Sequence, residues 1–416
     1  MKRLFIHVML LVILAGNWSC QQDAVDPDVN THLDLRPLSA AEIAIIRSSN
    51  QFSFNLFREL SQENNGNVFV SPLTINVALN MVMNGTSGAD RESIRQTLNY
   101  RDINNIQANK AFNELGIMLN EIDPRVTFNV ANAVWYNREH DINPLFKDLM
   151  AAYYEAWVED VPFGNPRAES IINDWVDNKT QAGANNIISG TQSGDDVYFV
   201  NSINFKADWT YAFDKRKTRL APFYPEPGSQ TSCEMMYADL TVFTVNRTDS
   251  LLVADIPFGN KQYSMTVLMP EQDYSLSKLI NNMGADQFDY LLSTADTVSS
   301  SLQLPKFKLS ATAQLNQSLS SLGMQSVFSD QQSPDLSAML EGVKKGKISQ
   351  IIHQATIEID EQGTTTELTS VVPDASTLVF DKPFVFVIRE KFTNAILFTG
   401  KIRQPAQVTP SPVNQN

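Results

Sequence analysis

Asn67-Val-Phe-Val-Ser71-Pro72-Leu-Thr74-Ile75-Asn-Val-Ala78-Leu79-Asn-Met81-Val82-Met-Asn84-Gly85 is the most informative stretch of the chain. Ser71 stands at a helix N-cap position. Pro72 follows in the first turn, where a missing N–H costs nothing and a fixed φ suits helix entry. Ile75, Ala78, Leu79 and Val82 recur at i, i+3, i+4 and i+7, which is one apolar helical face. Asn84-Gly85 supplies the stop. The stretch therefore predicts a helix with one side turned into a core.

Working outward, Ala40 to Gln62 also has helical spacing, with Ile43, Ile46, Phe54, Phe57 and Leu60 among its apolar residues. Ser87 to Leu98 gives a shorter helix. Ser170 to Lys179 places Ile171, Trp175 and Val176 on one helical face. Val126 to Tyr136 and Val197 to Phe205 read as strands. Leu251 to Phe258 and Tyr263 to Met269 read as a pair around the Gly259-Asn260 turn. Phe384 to Ile388 and Ala395 to Phe398 are continuous apolar runs, as in strands buried on both faces. Early helices followed by many strands indicate an α+β architecture. No repeat or low-complexity linker interrupts residues 39–405, so these residues are expected to form a single domain.

The chain has 416 residues, 43% hydrophobic and 19% charged, with a net charge of −14. Such a surface repels phosphate backbones, so no nucleic-acid partner is expected. One basic run, Lys215-Arg216-Lys217-Thr218-Arg219, reads either as a polyanion site or as a solvated turn between strands.

Lys2 and Arg3 precede an apolar run, Leu4 to Ala15, that is short for a membrane span. Small or polar residues lead to Ser19-Cys20. Residues 1–20 thus read as a signal peptide whose end resembles a bacterial lipobox, with Cys20 as the lipidation site. The alternative is an ordinary cleaved signal with an incidental cysteine. Residues 21–38 are polar, with Asp23, Asp26 and Asp28, and read as a flexible tether. Residues 406–416 read as a disordered tail. Export follows, with membrane anchoring through the lipid at the cell surface or periplasm, or secretion otherwise. Cys233 would then be a lone thiol.

Catalytic motifs are missing. There is no H-E-x-x-H, C-x-x-C, G-x-S-x-G or P-loop glycine spacing. No enzyme activity, catalytic residue, metal or cofactor is expected on that basis.

The opening stretch resembles the signature of the serpin family, the serine protease inhibitors, around its second helix. Further blocks follow in the family's order. Asn132-Ala-Val-Trp135 resembles the third strand of the family's sheet A, and Ile172-Asn173-Asp-Trp175-Val176 its sixth helix. Val200-Asn201-Ser-Ile203-Asn-Phe205-Lys206-Ala-Asp-Trp209 resembles the fifth strand of that sheet. Leu304-Pro305-Lys306-Phe307, Leu322-Gly323-Met324, Asp335-Leu336-Ser337, His353-Gln-Ala355, Glu358-Ile-Asp360-Glu361-Gln-Gly363-Thr364 and Lys382-Pro383-Phe384 complete the set. The resemblance implies a serpin fold: a large central sheet A with sheets B and C, about eight or nine helices, and an exposed reactive-centre loop. It implies a monomer.

The same resemblance assigns roles. Ser71, Thr74, Asn201 and His353 match the family's "shutter", a buried hydrogen-bond cluster beneath sheet A. His353 also reads simply as a satisfied core histidine. Trp209, Lys306 and Glu361 match the "breach" where the loop enters the sheet. A surface ion pair worth ~0–1 kcal/mol is the plainer reading of Lys306 and Glu361. Glu361, Gly363, Thr364 and Thr366 match the loop hinge.

In this family a serine protease attacks the loop as substrate and forms a covalent acyl-enzyme. The cut loop then enters sheet A as a new strand. Alternation would put Thr364, Thr366, Leu368 and Ser370 on one face and Glu367 on the other. Gln362 to Val379 contains no Lys, Arg or aromatic residue, so elastase-like or subtilisin-like proteases are expected, and trypsin-like ones are not. Val371–Val372, Ala375–Ser376 and Ser376–Thr377 are the reactive-bond candidates, with Ala375–Ser376 favoured. Two departures matter. Thr365-Thr366-Glu367-Leu368-Thr369 replaces the family's alanine run, and the loop is short by roughly five residues, about 17 Å of strand. They leave open a non-inhibitory serpin acting as a surface binding or structural protein.

Overall fold

The computed structural model describes residues 35–180, 186–272, 274–329, 333–363 and 377–405. The first half of the chain runs α1 (Ala40–Glu63), β1 (Val68–Val70), α2 (Pro72–Gly85), α3 (Gly88–Thr97), α4 (Asn105–Glu121), β2 (Val126–Asn137) and α5 (Pro144–Tyr154). It continues β3 (Trp157–Val161), α6 (Pro166–Thr180), β4 (Val197–Ala207), β5 (Arg219–Phe223), β6 (Thr231–Arg247), β7 (Leu251–Phe258) and β8 (Tyr263–Pro270). The remainder is α7 (Leu276–Asn282), α8 (Ala285–Ser293), β9 (Asp296–Pro305), β10 (Phe307–Gln314), α9 (Asn316–Leu319), β11 (Ile348–Ile359), β12 (Leu378–Val379), β13 (Phe384–Glu390) and β14 (Ile396–Ile402).

Five strands form one sheet, in the order β10-β11-β4-β2-β3. Its centre is the pair β11–β4, which is parallel, with Ile351↔Phe199, His353↔Asn201 and Ile357↔Phe205 in register. β2 runs antiparallel to β4, placing Asn132 opposite Asn201. Counted from the β3 edge, Asn132 lies on the second strand and Asn201 on the third. The expected third and fifth positions were therefore displaced. Spacing along a chain does not fix spatial order in a sheet with crossovers.

The other network has the order β1-β14-β13-β8-β7-β6-β9-β12, with β5 also paired to β6. The two smaller sheets expected beside the central one are continuous in hydrogen bonding here. β6 is long, and its pairing with β9 shifts register between Ala238 and Thr241. That bulge bends one strand from one small sheet into the other.

α2 sits between the layers, and its residues Ile75, Ala78, Leu79 and Val82 are buried as its spacing requires. The opposite face of the five-stranded sheet is covered by α6. There Ile172 and Val176 join Ala133, Trp135, Tyr198, Val200 and Ile352 in a separate apolar cluster. Trp175 meets Trp135 edge-on at 5.8 Å. Alternation thus gives β4 and β11 an apolar face toward α6 and a partly polar face toward α2.

Candidate functional site

Polar side chains in the middle of a strand that is buried on both faces need partners, because an unpaired buried group costs roughly 1–3 kcal/mol. The register of β2, β4 and β11 brings Asn132, Asn201 and His353 into one row, and each finds its neighbour. Ser71 N–H donates to His353 Nε2 at 3.1 Å. His353 Nδ1 donates to Asn201 Oδ1 at 2.7 Å. Asn201 Nδ2 donates to Asn132 Oδ1 at 2.7 Å. Asn132 Nδ2 donates to the Tyr154 carbonyl at 3.0 Å. Every bond in this chain points the same way, from α2 across three strands to the end of α5.

The direction fixes the imidazole. A backbone N–H can only donate, so Nε2 is the acceptor and the proton resides on Nδ1. Burial drives the His353 pKa down to about 3, so the ring is neutral. Ser71 behaves differently from a helix cap. Its hydroxyl makes no capping bond to α2 and instead donates to the Leu397 carbonyl on β14 at 2.7 Å. Thr74 Oγ1 donates back to the Ser71 carbonyl at 3.3 Å. All four residues matched to the shutter therefore meet in one place. Asn132 and Tyr154 belong to the same chain and were not among them. Tyr154 is held in turn by its hydroxyl, which donates to Asn109 Oδ1 and accepts from Asn80 Nδ2.

A second cluster lies at the far end of β11. Trp209 N–H donates to the Gln362 carbonyl at 3.0 Å, and its indole Nε1 donates to the Asp360 carbonyl at 2.8 Å. The indole stacks on Phe258 with centroids 4.3 Å apart and meets Phe213 edge-on at 5.5 Å. Beside it Lys306 Nζ donates to Glu361 Oε2 at 3.0 Å. Burial pushes the Glu361 carboxyl up, and the bonds from Lys306 and Thr218, its backbone bond and the Lys306 charge together outweigh it, so the pKa lies below its ordinary value. The same bond raises Lys306. Trp209, Lys306 and Glu361 thus come together at this end of the sheet.

Gly363 closes this cluster. A Cβ there would lie 2.6 Å from the Trp209 carbonyl oxygen and 3.0 Å from Ala212 Cα. Only glycine lets the chain leave β11 so close to Trp209. The hinge positions Thr364 and Thr366 and the reactive-bond candidates Val371, Val372, Ala375 and Ser376 lie outside the described residues, as does Cys20. Thr377 is exposed, and Leu378–Val379 then pairs with β9. The segment 364–376 therefore joins the top of the five-stranded sheet to the edge of the other.

Two smaller features resolve plainly. The basic run is a turn leading into β5, with Arg216 on Asp214 at 2.9 Å and Lys217 on Asp239. That arrangement fits a solvated turn. Cys233 is a buried free thiol, and burial pushes its pKa up to about 11.

The serpin (serine protease inhibitor) family model matches residues 47–405. Human serpin B11 is 28% identical over 385 residues, covering 85% of this chain and 98% of the relative. Barley (Hordeum vulgare) serpin-Z7 is 30% identical over 364 residues, covering 82% and 90%. Among solved structures, mouse protein-Z dependent protease inhibitor superposes with a TM-score of 0.82 at 22% identity, covering 88% of this chain and 98% of that one. Human thyroxine-binding globulin gives 0.80 at 24%, covering 88% and 100%. Matched by the family model over residues 47–405, the chain belongs to the serpin family.

Proposed function

We propose that this serpin is a suicide-substrate inhibitor of elastase-like or subtilisin-like serine proteases. The observation that carries the reading is the parallel pairing of β11 with β4. Chain leaving β11 at Gly363 and folding back would run antiparallel to both neighbours. One parallel ladder would be exchanged for two antiparallel ones, which are the more stable kind per residue. About ten new backbone hydrogen bonds at ~0.5–1.5 kcal/mol each make that exchange strongly downhill. The row from Ser71 to Tyr154 and the cluster around Trp209 both bridge the strands that must part. They act as the shutter and the breach of this molecule.

The inhibitor acts as a monomer and forms a covalent acyl-enzyme with its target. Incubation with elastase, subtilisin and trypsin, followed by denaturing electrophoresis and mass spectrometry of the released peptide, tests this. The reading requires an SDS-stable complex with elastase or subtilisin and a cut between Val371 and Thr377, best at Ala375–Ser376. The short, alanine-poor loop favours a second reading, a non-inhibitory surface serpin, for which both proteases would cut and release. Export with a lipid on Cys20 is part of the proposal. Radiolabelled palmitate should enter the full-length protein in cells and be lost in Cys20→Ala.

A further inference from the structure

Away from the loop, a cleft of about 880 Å³ opens between the end of α1, the β5–β6 turn, the start of α7 and the chain entering β13. Its size falls within the range of roughly 300–1,000 Å³ typical of small-molecule sites. One wall is apolar and stiff, built from Tyr224, Pro225 and Pro227 in the turn and Ile280 on α7. The other wall carries Lys382, Lys401 and Arg403. Glu226 is the single carboxylate among the described lining residues, and it is paired with Arg403 at 3.0 Å. A surplus of positive charge in a chain of net charge −14 is a local reversal.

Lys401 is 4% exposed. Its ammonium donates to the Ser61 and Asn64 carbonyls at the end of α1, at 3.0 and 2.6 Å. Burial, then the Arg403 charge, lowers its pKa to about 8. Capping α1 accounts for Lys401 alone. It does not account for Lys382 and Arg403 facing the same cleft, where Glu226 offsets Arg403 and leaves the lining with a surplus of positive charge from Lys382 and Lys401. The walls are also tied together before any ligand arrives, because Tyr224 N–H donates to the Asp381 carbonyl at 2.8 Å.

We propose that this cleft binds a small amphipathic anion, an aromatic or alicyclic body with one carboxylate or sulfonate. The ring lies against Tyr224, Pro225 and Ile280, and the charge faces Lys382 and Arg403, with Lys401 supplying field from beneath. The inference is independent of whether the chain inhibits a protease.

Two fluorescent probes of nearly the same shape test it on the intact protein: anilinonaphthalene sulfonate and its uncharged counterpart, phenylnaphthylamine. Wild type should bind the sulfonate at a single saturable site, about tenfold or more tighter than the neutral amine. Lys382→Glu, an exposed position, should weaken the sulfonate about tenfold and leave the amine unchanged. Ser277→Trp, which fills the cleft from an exposed position on α7, should weaken both probes. Equal affinity for the two probes in wild type overturns the proposal without reference to any variant. So does the lack of saturable sulfonate binding, or unchanged sulfonate affinity in Lys382→Glu.

Discussion

The same two strands, β4 and β11, are held together in two chemically unlike ways. In the middle, the row from Ser71 through His353, Asn201 and Asn132 to Tyr154 is neutral, buried and bonded in one direction. At the end, the Trp209 cluster combines stacked rings, two backbone contacts and an ion pair between a buried Glu361 and a one-third exposed Lys306. Buried hydrogen bonds are costly to break singly, because each broken bond strands a partner without water. An ion pair whose cation reaches solvent is cheaper to break, because water and salt can replace one side of it. The proposed insertion requires this end to open before the centre does. A strand that enters from the Gly363 end needs that order of events.

Deleting the central imidazole should have the largest effect. His353→Ala leaves Ser71 N–H and Asn201 Oδ1 without partners and opens a cavity, for an expected loss of about 3–5 kcal/mol in urea unfolding. Acid should act through the same ring. The unfolded chain protonates His353 near its ordinary pKa of 6.5, whereas the folded chain does so only near 3. Stability is full above pH 6.5 and falls as pH drops through that window, by about 1.4 kcal/mol per unit. In His353→Ala that slope should flatten. Glu361, whose folded pKa lies below its ordinary 4.5, contributes stability above that value and loses it only as pH falls further. Between pH 6.5 and 4.5, then, Glu361→Gln should leave the slope as it was.

Next in size is Gly363→Ala. Its methyl must displace the Trp209 backbone, at a cost of about 1–3 kcal/mol of local overpacking. Cys233 offers a reporter for the consequence. It neighbours Glu234, whose carbonyl holds Lys306 N–H at 2.8 Å. A thiol reagent should label Cys233 slowly in wild type and faster in Gly363→Ala. Equal labelling rates would mean that the hinge does not set the opening of this end.

Smallest is Glu361→Gln. With Lys306 one-third exposed, the change should cost less than about 1 kcal/mol, and less still at high salt. A larger, salt-independent loss would make the end of the sheet as firm as its centre and erase the contrast.

Much of this contrast could be read from the chain, and the reasons differ by residue. The helix at Pro72–Gly85 and the hairpin around Gly259-Asn260 carry their own signals, a cap-and-proline start and a turn pair, and both form where expected. Ser71, Asn201 and His353 were legible through family blocks, and the structure brings them together. Asn132 stood in a family block without a role, because a polar residue on a strand reads equally well as facing solvent, and Tyr154, at the end of α5, gave no signal. Only the register of β2 on β4 places Asn132 against Asn201. Strand order within the sheet was misplaced for a related reason: local pattern specifies a strand without naming its neighbours. The β6 bulge that merges the smaller sheets likewise depends on pairing across the sheet.

The central claim is that cleavage lets the loop become a strand between β4 and β11. Thermal unfolding before and after cleavage by elastase tests it most directly, in wild type and in Thr364→Arg. About ten added hydrogen bonds, about 5–15 kcal/mol, predict a rise in melting temperature of about 6–20 °C for cleaved wild type. Thr364→Arg must bury an unpaired charge to insert, so it should be cut without that rise and without a stable complex. An unchanged melting temperature in cleaved wild type, or an equal rise in Thr364→Arg, would contradict the account.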